Sequence, residues 1–265
     1  MATQTKSGND TRQKQKTGIY VYGVVPSDVE TTDDARGVGD PPASVEVITH
    51  DDIAALVSEV PVDAELGKPQ DLAAHARLLD ATSGELPVLP LRFGAMLADR
   101  EAVEQELLAA NHDEFAGALH ELEGHTEFIV KGRYEEDALL REILDGNKRA
   151  RQLRDSIVDK PPDATRNHRI ELGEIVTKVV AAKRDKDTRD LVEALKPLEF
   201  DAVVREPSHE RDAVYVAYMV ETERLDEFRE AVDAWAGRHG DGVDVRLLGP
   251  VAPYDFVSTP EPEGR

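Results

Sequence analysis

The 265-residue sequence contains no cysteine, and this absence removes several classes of site. A chain without cysteine forms no disulfides, no thiolate metal sites and no cysteine nucleophiles. Long apolar runs are missing as well, because no stretch approaches the roughly 18 residues that a membrane-spanning helix requires. The first residues, MATQTKSGNDTRQKQKTG, lack the apolar core of a secretory signal. We therefore expect a soluble, cytoplasmic protein that does not enter a membrane.

Positive charge is scarce, with 32 lysine and arginine residues against 54 aspartate and glutamate residues and a net charge of -22. Binding to a nucleic-acid backbone requires a clustered basic face, so this balance argues against nucleic acid as a partner. Lysine is scarcer than arginine, 11 residues against 21. An acidic, lysine-poor surface is typical of a halophile protein, because molar salt screens self-repulsion. The alternative is an acidic protein from ordinary salt.

Hydrophobic patterning predicts an α+β protein with two domains. Residues 1–17 are polar and are predicted to be a disordered tail, and residues 18–124 are predicted to form an N-terminal α+β domain. The predicted elements of this domain are the strands IYVYGVV, SVEVITH and AALVSEV, a helix from Gln70 to about Ser83, a strand in the stretch near residue 90, and a long helix between Asp99 and Gly124. The predicted buried stripes are Leu72, Ala76 and Leu79 on the first helix and Val103, Leu107, Phe115, Leu119 and Leu122 on the second.

The second predicted domain, 125–258, has the element order β-helices-β-β-α-β, which is the ferredoxin-like order. Its first crossover is enlarged into a helical insertion over about 135–198, with a break at Pro161-Pro162. Thr222 is predicted to cap the next helix. The residues predicted to anchor these helices are Leu140, Ile143 and Leu144, then Ile170, Ile175, Val176 and Val179, and finally Leu225, Phe228, Val232 and Trp235. Residues 259–265 are predicted to be a tail.

Patterns for catalysis or metal binding are weak in this sequence. The segment HELEGH places His120 and His125 five residues apart, whereas a zinc-protease helix needs its histidines four apart on one face. His75 is interpreted as a hydrogen-bonded, half-buried histidine rather than a general base, because no serine or carboxylate constellation accompanies it. The loop sequence GVGD is a poor nucleotide fingerprint, and no P-loop is present. We expect no enzyme activity, no metal and no cofactor.

The stretch ELPVLPLRFGAML is apolar apart from Arg92, yet Pro87 and Pro90 exclude an ordinary central strand or helix interior. We expect a strand with two faces: the core face carries Leu89, Leu91 and Phe93, and the opposite face carries Val88, Pro90, Arg92 and Gly94. Arg92 is then predicted to be partly buried against acidic side chains or helix carbonyls. The alternative is that the prolines keep this edge open and that Arg92 receives a partner.

Three segments stand in a characteristic order, namely YVYGVV near the start, LPVLPLRFGAML in the first half and GPVAPYDFV near the end. They resemble the opening Tyr-x-Tyr-Gly strand, the PLRFG-type segment and the closing Gly-Pro-Trp-Pro-Pro-Tyr-x-Phe segment of the GvpL/GvpF family of gas-vesicle proteins. The resemblance covers about residues 18–258. Val251-Ala252 stands where the family has Trp-Pro, so no role of that aromatic carries over. The long helical region and charged tail are more similar to the L branch than to the F branch.

The resemblance implies two α+β domains, the C-terminal one ferredoxin-like, in a non-enzymatic accessory protein of gas-vesicle assembly. The implied partners are the hydrophobic shell protein and other gas-vesicle accessory proteins, in the cytoplasm at the vesicles. An acidic chain fits this family because buoyant haloarchaea make such vesicles. The candidate partner-binding residues are Pro90, Leu91, Arg92, Phe93, Gly94 and Tyr254. Two alternatives stay open, a minor structural component of the vesicle wall and an uncharacterised α+β enzyme.

Overall fold

The structure is a computed structural model that describes residues 16–29 and 35–257. These residues form two compact units. Unit 1 contains residues 16–29, 35–78 and 91–117, and unit 2 contains residues 79–90 and 118–257. The two predicted tails lie outside the described residues, except that Thr17 already opens the first strand. The domain boundaries expected from the sequence stay a prediction.

The first half of the chain combines strands and helices, as predicted. Its elements are β1 (Thr17–Pro26), β2 (Glu46–His50), β3 (Ile53–Pro61), α1 (Pro69–Ser83), β4 (Leu89–Pro90), β5 (Met96–Leu97), α2 (Arg100–Ala102) and α3 (His112–Leu122). In unit 1, β1 pairs antiparallel with β3 on one side and with β5 on the other, and β2 pairs with the far side of β3. The pairing of β1 with β3 shifts register between Val21 and Gly23, so Tyr22 lies at a bulge.

Helix α1 has the predicted extent but buries a different face. Leu72 is 48% exposed and Ala76 is also exposed, whereas Asp71, His75 and Leu79 are buried. The buried residues stand four apart, which is one face of a helix. Two of the three are polar, and polar groups can be buried when they are hydrogen-bonded. The apolar spacing therefore led to the wrong face.

The long helix predicted after Asp99 is present. It continues from α2 through a π-helical segment at Val103–Leu108 and a 3₁₀ turn at Ala109–Asn111 into α3. Asp99 caps it, because its Oδ1 accepts a 2.9 Å hydrogen bond from the Ala102 N–H. The predicted apolar stripe is confirmed, since every member is buried: Val103, Leu107, Phe115, Leu119 and Leu122.

The prediction of one strand through the ELPVLPLRFGAML stretch is wrong. Only the two-residue strands β4 and β5 form there, and Phe93 lies in a turn between them. The predicted alternation of faces is wrong too, because four consecutive residues are buried: Val88, Leu89, Pro90 and Leu91. Proline has no N–H to donate to a strand ladder, so Pro87 and Pro90 limit how far regular pairing can extend.

The rest of the described chain belongs to unit 2 and contains a four-stranded antiparallel sheet. Its elements are β6 (His125–Tyr134), α4 (Glu136–Gly146), α5 (Lys148–Ile157), α6 (Arg166–Leu195), β7 (Ala202–Val204), β8 (Asp212–Glu221), α7 (Leu225–Gly237) and β9 (Val243–Val251). The strand order is β7-β8-β6-β9. The chain order matches the predicted ferredoxin-like order, with α4 to α6 in the first crossover and the predicted break at Pro161-Pro162.

One face of this sheet packs against α6 and α7 and forms the core of unit 2. The predicted inward residues Phe228, Val232 and Trp235 are all buried there. The strands contribute Phe128 and Val130 from β6 and a set of alternate residues from β8: Val214, Val216, Tyr218 and Val220. Side chains alternate along a strand with a period of two, so these four residues of β8 all point toward the helices.

Three helix details differ from the prediction. Leu139 is buried beside Ile143, whereas Leu140 is 40% exposed, so the buried stripe of α4 starts one residue earlier than expected. Ile170 is 52% exposed near the start of α6. Thr222 does not cap α7, because it begins a separate tight turn that precedes the helix.

Candidate partner-binding site

The segment from Leu91 to Ala95 is hydrogen-bonded to strand β1 at both of its ends and turns away from the strand in between. At its start the Leu91 N–H donates to the Tyr22 carbonyl at 2.9 Å, and at its end the Val21 N–H donates to the Ala95 carbonyl at 2.9 Å. Between these bonds, the Ala95 N–H donates to the Arg92 carbonyl at 3.3 Å. We call Arg92 to Gly94 the RFG turn. Strand β1 therefore fixes both ends of the RFG turn.

A chain of hydrogen bonds through the buried side chains of Tyr20 and His75 holds the RFG turn in place. The Gly94 N–H donates to Tyr20 Oη at 3.1 Å, and Tyr20 Oη lies 2.9 Å from His75 Nδ1. The other ring nitrogen, Nε2, lies 3.2 Å from the Leu91 carbonyl, which can only accept. His75 Nε2 therefore carries the proton, and Nδ1 accepts from the tyrosine hydroxyl. One histidine thus ties down both ends of the turn.

His75 is suited to this task because it is neutral. The side chain is 3% exposed, and burial lowers its pKa from 6.5 to about 4, against the opposing effect of the hydrogen bond to the Leu91 carbonyl. A neutral imidazole supplies one donor and one acceptor, which its two partners require, whereas a protonated ring has no acceptor for Tyr20. The interpretation of His75 as a hydrogen-bonded structural histidine is confirmed, although the ring is buried rather than half-buried.

Aromatic rings surround His75 and anchor the middle of the turn. The Phe93 ring lies 5.6 Å from the His75 ring and 5.8 Å from the Tyr20 ring, in edge-on arrangements. The Tyr20 and Tyr22 rings lie 4.9 Å apart. Such pairs contribute about 0.5–1.5 kcal/mol beyond their buried area. Phe93 is half-buried, so part of it remains accessible from outside.

Arg92 is exposed, which corrects the expectation that its side chain is partly buried. Arg92 lies at the start of the RFG turn rather than in a strand, so no strand face carries its side chain toward the interior. Gly94 has φ of 96°, and a side chain there would meet nothing within 4 Å. The backbone conformation, not a lack of space, therefore requires glycine. The RFG turn presents an arginine beside an aromatic ring.

The second tyrosine of the YVY strand holds a different loop. Tyr22 Oη accepts from the Val38 N–H at 2.9 Å and lies 2.9 Å from Ser58 Oγ. Ser58 Oγ donates to the Ser44 carbonyl at 2.8 Å, so its oxygen is available to accept from the tyrosine. The two tyrosines have separate tasks, because Tyr20 ties down the RFG turn and Tyr22 ties down the loop around Val38.

Tyr20→Phe is expected to loosen the RFG turn while the core stays filled. The change removes the hydroxyl between the Gly94 N–H and His75 Nδ1, at a cost of about 1–3 kcal/mol. Tyr22→Phe is the matched control, because it removes a second buried hydroxyl from the same strand. We expect similar losses of stability in chemical denaturation, but faster hydrogen exchange at the Gly94 amide in Tyr20→Phe alone. Equal exchange at Gly94 in the two variants would contradict the task assigned to Tyr20.

The closing segment GPVAPYDFV is held within unit 2. The Ala252 N–H donates to Asp80 Oδ1 at 3.0 Å, and Ser83 Oγ donates to the Val251 carbonyl at 2.8 Å. Ala252 is buried, whereas Tyr254 is 43% exposed. Tyr254 therefore belongs to a surface of unit 2, whereas the RFG turn belongs to unit 1.

A buried carboxyl group also holds the closing segment. Glu127 is 1% exposed, and its Oε2 accepts from the Asp255 N–H at 3.2 Å. Burial first, and then the neighbouring Asp255 carboxylate, raise the pKa of Glu127 well above its ordinary value of 4.5. Arg205 Nε lies 3.6 Å from Asp255 Oδ2 and opposes that rise. No sequence pattern indicates this pair, because the chain has 54 acidic residues and nothing in their spacing distinguishes these two.

The described residues bring together no group of three histidine, aspartate or glutamate side chains that could hold a metal ion. The two histidines of HELEGH are engaged locally: His120 Nδ1 lies 3.2 Å from Glu123 Oε2, and His125 Nδ1 lies 2.8 Å from the Glu123 carbonyl. Among residues 16–29 and 35–257, no helix has the length and apolarity to cross a membrane.

The structure shows an α+β protein with a ferredoxin-like element order and an anchored RFG turn, and comparison with known proteins identifies its family. A family model described as "Gas vesicle synthesis protein GvpL/GvpF" matches residues 18–258, and the chain therefore belongs to the GvpL/GvpF family. This match confirms the resemblance that the three sequence segments indicate.

Relatives from both branches of the family match nearly the whole chain. Gas vesicle protein F of Streptomyces sp. (strain CB03234) is 31% identical over 90% of this chain and 98% of its own length. Gas vesicle protein L of the same strain is 28% identical over 91% and 93%. The crystal structure of the gas vesicle protein GvpF from Anabaena sp. PCC7120 has the same fold, with a TM-score of 0.71 at 22% identity over 92% of this chain and 99% of that one. Membership of the L branch stays a prediction.

Proposed function

We propose that this protein is a non-enzymatic accessory protein of gas-vesicle assembly, which binds the hydrophobic shell protein through its RFG turn. The observation that carries the proposal is that Arg92 is exposed on a turn whose backbone is fixed by Tyr20 and His75. Arginine and aromatic residues are enriched at binding hot spots, and a preorganised backbone loses little entropy on binding. Of the two interpretations of Arg92, this exposure favours the docking residue.

The charge of the chain suits the same role. A shell subunit with a hydrophobic gas-facing side must be kept in solution before it is built into the wall. A partner with a net charge of -22 presents a highly charged surface that favours solubility of the complex. Family membership supports a role in gas-vesicle formation. The proposed partners are the shell protein and other vesicle proteins, and the proposed location is the cytoplasm at the forming vesicle.

Arg92→Ala is expected to leave the protein folded but to lower vesicle yield at least about tenfold in cells that lack the wild-type gene, because a hot-spot side chain contributes about 2 kcal/mol or more. Arg77→Ala is the matched control, since Arg77 is exposed on α1 and the change in charge is the same. Vesicle yield is measured by the light scattering lost when pressure collapses the vesicles. Wild-type yield with Arg92→Ala would contradict the proposed docking role.

The accessory role differs from a structural role in where the protein is found at the end of assembly. An assembly factor leaves, whereas a wall component stays bound to the finished vesicle. We expect a denaturant wash of purified vesicles to remove the protein. Protein that stays on the washed vesicles would replace the accessory role with that of a minor wall component.

We also infer that the chain works in molar salt. Lowering the salt concentration from about 1 M to about 0.1 M lengthens the screening distance from about 3 Å to about 10 Å. With a net charge of -22, self-repulsion then extends across much more of the surface, and we expect a clear fall in the melting temperature. A melting temperature that does not change with salt would remove this inference.

A further inference from the structure

Strand β9 forms one edge of the unit 2 sheet. Among the described residues it pairs with β6 on one side, and the strand order ends there. It is nine residues long, whereas the strand at the other edge, β7, has three residues. An edge strand presents a row of N–H and C=O groups that can pair with another strand. Pro250 has no N–H and the Val251 carbonyl already accepts from Ser83, so the part of β9 that can pair with a partner runs from Val243 to Gly249, which is still longer than β7.

The side chains of β9 alternate between two faces. Val245 and Leu247 face the helices, where they line a groove of about 310 Å³ together with Val232 of α7. Asp244 and Arg246 lie on the opposite face and are exposed, and their side chains form an ion pair at 2.8 Å. The edge therefore carries one negative and one positive charge, two residues apart.

We propose that two copies of this chain pair through β9, antiparallel, about a two-fold axis that passes through Val245. A two-fold interface places the same patch on both copies, so each contact occurs twice. In this register Asp244 lies opposite Arg246 of the second copy, and Arg246 lies opposite its Asp244. Val245 lies opposite itself, and Val243 lies opposite Leu247. The opposed pairs from Val243 to Leu247 are complementary, with ion pairs on one face and apolar pairs on the other.

Neighbouring registers lack this complementarity. An axis through Asp244 would oppose two aspartates, and an axis through Arg246 would oppose two arginines, and like charges directly opposite each other destabilise a sheet. An axis between two residues would place helix-side residues of one copy opposite outward residues of the other, because side chains alternate with a period of two. Among the axes through β9 that keep the two faces matched, the one through Val245 places both charges opposite their opposites, whereas an axis through Leu247 leaves Arg246 opposite Leu248 without an ion pair. The order of charges in β9 therefore favours a second copy as the partner, in this register.

Charges on an edge strand can also serve to repel other strands. A single sign, such as a row of lysines, repels a second copy in every register. Here both signs occur in an order that places each charge opposite its opposite in a second copy, in addition to the ion pair within the strand, so the pattern favours pairing. The net charge of -22 on each copy opposes association at low salt, and molar salt screens that repulsion. We therefore expect the dimer in molar salt.

Sedimentation in about 1 M salt tests the pairing through its charges. We expect a wild-type dimer, at least tenfold weaker association in Arg246→Asp, and recovery in the double swap Asp244→Arg with Arg246→Asp. Arg141→Asp changes the net charge equally at an exposed site on α4 and should stay dimeric. Circular dichroism checks that each variant is folded. A monomeric wild type, or a double swap that does not recover association, would overturn the proposal.

A cross-link tests the register independently of charge. The chain has no cysteine, so a single introduced cysteine can form a disulfide only with another copy. Residues opposed in an antiparallel pair have Cα atoms about 4.5–5.5 Å apart, which a disulfide can bridge. Val245→Cys should cross-link, whereas Leu248→Cys should not, because the proposed register separates Leu248 from its copy by about 20 Å. Equal cross-linking of the two variants, or none with Val245→Cys, would overturn the proposed register.

Discussion

Trp235→Ala is expected to lower the free energy of unfolding by about 3–5 kcal/mol. The Trp235 side chain is 1% exposed in the core of unit 2, on the same helix face as Phe228 and Val232. Truncation to alanine removes buried apolar area and leaves a cavity that a packed core cannot fully close. Chemical denaturation measures the cost. A cost below about 1 kcal/mol would show that the core does not depend on this ring.

Trp235→Phe distinguishes the contribution of the apolar ring to stability from that of the indole N–H. The indole Nε1 is buried and has no hydrogen-bond partner among the described residues, so the N–H itself adds nothing favourable in the folded state. Phenylalanine retains most of the apolar volume and removes that donor. We expect a cost below about 1.5 kcal/mol. A cost close to that of the alanine variant would contradict this partition between the ring and the N–H.

His75 is expected to make the protein about 3 kcal/mol less stable at pH 4 than at pH 7, apart from the effects of all other groups. Burial lowers the pKa of His75 from 6.5 to about 4 in the folded protein. Between these values the unfolded chain binds a proton that the folded protein does not bind. The stabilisation is therefore fully present above pH 6.5 and is lost as the pH falls toward 4.

The many carboxylates of this chain also titrate in acid, so the effect of His75 requires a variant for comparison. His75→Gln keeps a donor and an acceptor but does not titrate. Denaturation at several pH values should give a steeper acid loss for the wild type than for His75→Gln, which starts from a lower stability at pH 7. Parallel pH profiles would contradict the buried, neutral histidine.

The positions of strands and helices could be predicted where an apolar face repeats with a clear period. The long helix shows this, because its stripe from Val103 to Leu122 is buried throughout. Helix α1 shows the limit, because its buried face includes Asp71. The Asp71 carboxylate accepts hydrogen bonds from three backbone N–H groups, two of which come just before the helix while the third lies 32 residues away: Gly67, Lys68 and Gly39. No periodicity along the helix reports such distant partners.

The conformation of the RFG turn could not be predicted for the same reason. The Gly94 N–H bonds to Tyr20, which is 74 residues away, and the Leu91 carbonyl bonds to His75, which is 16 residues away. The sequence carries one signal, since the YVYG and PLRFG segments both resemble segments of the family. The structure shows that they form a single hydrogen-bonded arrangement, with His75 as the missing third component.

The central proposal is that the exposed Arg92 side chain binds the shell protein. The most direct measurement is the affinity of purified shell protein for Arg92→Ala, beside the wild type and Arg77→Ala, with a melting temperature for each. We predict melting temperatures within about 2 °C of the wild type and an affinity at least about tenfold lower for Arg92→Ala alone. A folded Arg92→Ala protein that binds the shell protein as tightly as the wild type would contradict the account.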